Sequence, residues 1–177
     1  PPDDRDALRL DRAARPLAPL WRGGVPIQHG TCAAFEEGPA LKARGGFAAS
    51  EAYARHRALL AEKGTGYDPR IRIRIARGEH MTAADYLELV TSRQRLIASF
   101  DASTREFDAL VMPTVPIVPP RIAELDDERE SNRINLHILR NTALGNFFDR
   151  CSSSLPCQRE GDPPAALRST EAKRSEI

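Results

Sequence analysis

Long apolar runs are missing from this sequence of 177 residues. Nothing in it approaches the roughly 20 apolar residues that span a bilayer, and no charged-then-apolar leader opens it, so a cytoplasmic chain with no membrane partner is expected. An excess of one charge is missing too: 26 basic residues face 25 acidic ones, intermixed along the chain, for a net charge of +1. That balance gives no electrostatic footprint for nucleic acid. Cysteine is sparse and odd in number, and Cys32, Cys151 and Cys157 are unevenly spread, which argues against a disulfide framework. Lysine is confined to Lys42, Lys63 and Lys173, so any catalytic lysine has three candidate positions. His29, His56, His80 and His137 stand apart, with no pair four residues apart and no carboxylate at ligand spacing; no metal site and no cofactor is expected. The first residues are Pro1-Pro2 rather than methionine, which is read as a trimmed or partial product.

What remains is a polar composition, 41% apolar and 29% charged, sufficient for one domain of ordinary size with a modest core. Residues 1–44 are dense in Pro and Gly, leaving room only for short elements, and are expected to be irregular and loosely packed. From Gly45 a helix is expected: Phe47, Ala54, Ala58 and Ala61 share one stripe, with Tyr53 and Leu60 beside it and Gly64 as a stop. Tyr67-Asp68-Pro69 starts a second helix, because Asp68 can accept from first-turn N–H groups and Pro69 lacks an N–H that would go unpaired there. The alternation Arg70-Ile71-Arg72-Ile73-Arg74-Ile75 therefore reads as a solvated helical face rather than a phosphate-binding ribbon. Thr82-Ala83-Ala84-Asp85 resembles a capping box, and it introduces a helix over 82–104 with Tyr86, Val90, Ile97 and Phe100 on one face and Leu89 and Leu96 adjacent.

Phe107 to Met112 is a short apolar run stopped by Pro113, as expected of a buried strand. Pro113, Pro116, Pro119 and Pro120 then impose an extended loop. An amphipathic helix follows from Asn132 to about Phe148 (Ile134, Ile138, Thr142, Leu144, with Leu136 and Leu139), and Cys151 to Pro156 can form one more strand. Residues 158–177 read as a polar, solvated tail.

Five pieces in this order resemble the C-terminal third of an amidase-signature enzyme: Tyr67-Asp68-Pro69-Arg70-Ile71-Arg72; Phe107-Asp108-Ala109-Leu110-Val111-Met112-Pro113-Thr114-Val115-Pro116; Leu139-Arg140-Asn141-Thr142; Asn146-Phe147-Phe148-Asp149; and Ser154-Leu155-Pro156-Cys157. The resemblance runs from about Gly45 to Cys157. It implies an α/β fold, here the C-terminal part of a mixed central sheet flanked by helices, with this stretch mostly helical and carrying one or two short strands. It also implies hydrolysis of a carboxamide in a small amide substrate, through a serine acyl-enzyme with a relay serine and a neutral lysine as base. Those three residues lie well upstream of the matched region in the family, the serines in a Gly/Ser-rich segment that this sequence does not contain. After Cys157 the family pattern continues through Gly-rich chain into an apolar strand; Gly161-Asp162-Pro163-Pro164 fits it and Ala165 to Thr170 does not.

No residue of this sequence is therefore assigned a catalytic role. The cluster Ser152-Ser153-Ser154 is expected in a strand, without the glycines of an oxyanion-holding turn. Lys42, Lys63 and Lys173 lack the context of a buried base. Cys151 and Cys157 are expected as small buried hydrophobes, too far apart along an extended segment to bridge. Thr114, Asn141 and Cys151 are the candidates for a substrate pocket, each at or near an element end in the region that, by the resemblance, approaches the substrate. The other reading is a non-catalytic helical module that binds a partner, or a second copy of itself, through the faces of helices 47–63 and 82–104; exposed apolar area distinguishes the two.

Overall fold

A computed structural model of the chain describes residues 23–42, 45–158, 160–161 and 164–171. The expectation for residues 1–22 lies outside them. The described residues divide into two compact units: those of 32–100 form one, and those of 23–31 and 101–171 form the other.

The first unit is helical. It holds α1 (Ala33–Lys42), α2 (Gly46–Lys63), a 3-10 turn (Gly64–Gly66), α3 (Pro69–Ala76), a second 3-10 turn (Arg77–His80) and the greater part of α4 (Ala83–Thr104). α1 corrects the expectation that residues up to 44 are irregular: Ala34 and Gly38 are buried on it, and Phe35 stacks at 5.7 Å on Phe100 of α4. The Gly38-Pro39 pair does not end the helix. Glu37 and Arg95 tie the same elements with a charge-assisted contact of 2.5 Å, and the guanidinium holds the Glu37 carboxyl below its ordinary pKa. Both groups are exposed, so the pair orients more than it stabilises.

The packed face of α2 differs from the alanine stripe. Gly46 and Ala49 are buried and Tyr53, His56 and Leu60 half-buried, whereas Ala54, Ala58 and Ala61 face solvent. An alanine methyl removes little surface from water, and the face with Tyr53 and Leu60 gains more by burial. The turn at Gly78 settles the choice, since a Cβ there would lie 2.2 Å from the Ala49 carbonyl oxygen and 2.7 Å from Tyr53 Cβ. The two backbones touch on the 46/49/53 side.

Helix starts match their sequence signals. Asp68 Oδ1 accepts from the Arg70 N–H at 2.8 Å with Pro69 at the first helical position. Thr82 and Asp85 close a reciprocal box: Asp85 N–H donates to Thr82 Oγ1 at 3.1 Å, and Thr82 N–H to Asp85 Oδ2 at 3.0 Å. Along α3 only Ile75 is buried, and Ile71 and Ile73 stand exposed among the arginines, as a solvated helical face requires. On α4 the core line is Leu89, Leu96 and Phe100, with Leu96 sealed completely; Tyr86, Val90 and Ile97 flank it half-buried.

The Asp68 carboxyl is held below its ordinary pKa, first by hydrogen bonds from the Arg70 side chain and then by the Arg70 backbone N–H. A depressed folded-state pKa contributes stability above the unfolded-state value and loses it as pH falls through the folded one. Thermal unfolding followed between pH 6 and 2 is thus expected to show a smaller loss of melting temperature on acidification in Asp68→Asn than in the native chain. Asn keeps a cap acceptor but has no charge to lose.

The second unit sets one long helix, α5 (Glu128–Phe147), against a three-stranded antiparallel sheet of β1 (Ala109–Pro113), β2 (Ser152–Pro156) and β3 (Ala166–Glu171) in the order β1-β3-β2. Asp127 caps α5 by accepting from the Glu130 N–H at 2.7 Å, which moves its start four residues upstream of the amphipathic pattern. Its buried line is Ser131, Ile134, Asn141 and Gly145, ending on Phe147 and Phe148, whereas Leu136 and Leu139 are exposed.

β3 overturns the expectation of a solvated tail at residues 166–171 and adds a third strand to the one or two expected; the expectation for residues 172–177 lies outside the described residues. Leu167, Arg168 and Thr170 are buried in it, and it supplies the backbone partners of both other strands. A central strand satisfies N–H and C=O groups on both edges, which stabilises a segment whose side chains alone give little apolar signal.

Candidate functional site

The sequence candidates gather at one end of this sheet, with one exception. Asn141, buried on α5, donates from Nδ2 to the Pro113 carbonyl at 2.8 Å. This fixes the chain at the residue where β1 ends and the proline-rich loop begins. Thr114 follows immediately: its N–H donates to the Ala166 carbonyl at 2.9 Å, and its Oγ1 lies 2.6 Å from Ser154 Oγ on β2. Thr114 and Asn141 are thus brought together across β1 and α5, with Ser154 as a third polar group. Ser154 was not among the pocket candidates, and a contact between residues forty apart leaves no local signal.

Cys151 is the exception. It precedes Ser152, whose register partner is Thr170, whereas Thr114 is level with Ala166. Four residues of strand separate the two levels, roughly 13 Å. Cys151 is also exposed, against the expectation of a buried hydrophobe, while Cys157 is half-buried with its thiol pKa pushed up by burial. The thiolate is the reactive form, so at pH 8 Cys151 should react with a maleimide roughly tenfold faster than Cys157. Stopped-flow labelling with peptide mapping checks this; equal rates would contradict the burial difference. None of Cys32, Cys151 and Cys157 is disulfide-bonded.

The serine cluster occupies a strand, as expected. Ser152 Oγ pairs with Thr170 Oγ1 at 3.0 Å and Ser154 with Thr114, so two of the three hydroxyls are engaged by other hydroxyls rather than by a base. Lys63 is largely exposed beside Glu62, and the side chains of Lys42 and Lys173 lie outside the described residues. Among the described residues there is no cluster of three or more His, Cys, Asp or Glu able to hold a metal ion, and no helix is long and apolar enough to cross a membrane.

One face of the sheet carries Met112, Ser154 and Arg168 in register, with Ser152 and Thr170 beyond them. α5 covers this face at Gly145, where a Cβ would lie 2.0 Å from Arg168 Nη2. The face is therefore polar at its centre, a feature hidden from sequence patterning because β3 itself was not expected.

Comparison with known proteins places this arrangement. The Amidase family matches residues 31–168, and the chain belongs to that family. The match begins upstream of Gly45 and runs through the first half of β3. A 2-amino-5-chloromuconic acid deaminase of Comamonas testosteroni is 33% identical over 159 residues, covering 87% of this chain and 33% of the relative. An amidase of Pseudomonas putida is 29% identical over 110 residues, covering 60% of this chain and 24% of the relative. Among solved structures, an allophanate hydrolase of Kluyveromyces lactis superposes with a TM-score of 0.80 at 20% identity, over 97% of this chain and 27% of that one. A crystal structure of an amidase gives 0.76 at 19% identity, over 93% and 38%. These likenesses show the α/β amidase fold. The chain spans a quarter to a third of the length of the curated relatives it matches.

Proposed function

We propose that these residues form the non-catalytic C-terminal part of an amide hydrolase and that the chain by itself does not turn over amides. The parent reaction is hydrolysis of a carboxamide C–N bond to a carboxylate and ammonia or an amine, through a serine acyl-enzyme. The observation that carries the reading is the family match over residues 31–168 in a chain where Ser152 and Ser154 are engaged by other hydroxyls. Thr114 and Asn141 are pocket residues in this reading, because both sit where β1 leaves the sheet. Small amides are the substrate class, and the deaminase relative, named for an acid, points to substrates that also carry a carboxylate. A cytoplasmic location agrees with cysteines that form no disulfide.

The reading is tested by exchanging residues 31–171 for the aligned third of the Comamonas testosteroni deaminase. A folded chimaera should release ammonia from the deaminase substrate. A chimaera that is folded by circular dichroism yet inert would contradict the reading.

Self-association through exposed apolar helix faces is a second reading, supported by the exposed Leu59 on α2, Leu87 on α4 and Leu136 and Leu139 on α5. Sedimentation tests it: a concentration-dependent dimer is expected, and a monomer throughout would contradict it.

A further inference from the structure

Arg168 is the buried charge that amide hydrolysis leaves unexplained. It sits at the centre of β3, 8% exposed, and its Nε is sealed from solvent with no hydrogen-bond partner among the described residues. The guanidinium lies over Gly145 in the last turn of α5, where Nη2 occupies the space that a Cβ would need. Its neighbours in register are Met112 and Ser154, and the buried line of α5 is Ser131, Ile134, Asn141 and Gly145. No carboxylate stands among these residues. A desolvated guanidinium without an anion is costly, and the planar fork of arginine matches a carboxylate with two parallel hydrogen bonds. The negative end of α5 offsets part of the charge but leaves Nε without an acceptor.

We propose that Arg168 anchors a small carboxylate-bearing ligand at the α5 end of the sheet. The Ser154–Thr114 hydroxyl pair supplies the neighbouring polar groups, and Gly145 makes room for the guanidinium. Ser154 shares the register level of Arg168, and since either hydroxyl of the Ser154–Thr114 pair can be the donor, the Ser154 hydroxyl can turn to a second carboxylate oxygen. The absence of a side chain at residue 145 is then a requirement of the site rather than a matter of helix propensity. This goes beyond the amidase reading and does not depend on turnover, since its readout is binding.

The experiment compares propionate with propionamide, two molecules of nearly one shape that differ in charge, by thermal shift and calorimetric titration of the full chain at constant ionic strength. Propionate should raise the melting temperature with saturation, and propionamide and an equal concentration of chloride should not. Arg168→Gln should abolish the propionate response, Arg168→Lys should weaken it at least about tenfold because the fork is lost, and Gly145→Ala should weaken it by displacing the guanidinium. Circular dichroism establishes that each variant folds. If Arg168→Gln does not fold, Gly145→Ala and the propionate-propionamide comparison in the native chain decide the matter. Equal shifts with propionate and chloride, or an undiminished propionate response in either Arg168→Gln or Gly145→Ala, would overturn the proposal.

Discussion

Gly78→Val is expected to destabilise the helical unit more than any other single glycine substitution in it, by about 3 kcal/mol, the upper part of the ordinary range for inserting atoms into a packed contact. The reason is the identity of the atoms a side chain would meet. At Gly78 they are the Ala49 carbonyl oxygen at 2.2 Å and carbon at 2.6 Å, with Tyr53 Cβ at 2.7 Å, and a helix backbone cannot yield as the tip of a flexible side chain can. Relief requires the 3-10 turn at 77–80 to move off α2, which also pulls Glu79 from the Tyr53 hydroxyl that donates to it at 3.0 Å. For a chain of this size such a loss lowers the melting temperature by roughly 6–12 °C.

Gly64→Ala is the internal control. Gly64 ends α2 in a right-handed helical conformation with nothing near an added Cβ, so alanine there should be neutral or stabilising by about 0.4–1 kcal/mol. Thermal denaturation of the two variants side by side checks the contact. Equal melting temperatures would show that the turn does not press on α2 as described.

The local part of this architecture was legible in the sequence, and the long-range part was not. Asp68-Pro69 and Thr82 to Asp85 announced their helices because a cap is a short-range hydrogen bond that a few residues specify. The solvated reading of Arg70 to Ile75 followed from the same cap. The packed face of α2 was misjudged because its periodicity was carried by alanines, and contact with Gly78 some thirty residues away decided the matter. β3 was invisible for a related reason: Ala166 to Glu171 is polar in composition, and it becomes a strand through backbone pairing with two segments distant in sequence.

The candidate site divides along the same line. Asn141 and Thr114 were marked by the family resemblance together with their nearness to element ends, and a hydrogen bond from Asn141 to the Pro113 carbonyl sets them side by side. Arg168 and Gly145 gave no signal, because neither means anything until the strand and helix face each other. Cys151 was grouped with Thr114 on proximity of element ends, and strand direction separates them.

The second large effect concerns catalysis. An activated serine needs a base, and the neutral lysine of the family chemistry needs burial to lose its proton. Lys63 is exposed beside Glu62, and Ser152 and Ser154 meet Thr170 and Thr114 rather than an amine. A missing oxyanion donor alone costs about two to three orders of magnitude in rate, and loss of the nucleophile or its base costs about six in a well-characterised serine hydrolase. The expected rate for this chain acting alone is therefore that of buffer.

Ammonia release from propionamide and benzamide by the purified full chain, against a mock preparation from the same host, tests the account most directly. The account predicts release indistinguishable from the mock, unchanged in a variant carrying Ser152→Ala, Ser153→Ala and Ser154→Ala. Turnover that survives repurification and disappears in that variant would contradict it and make the serines of β2 a catalytic site.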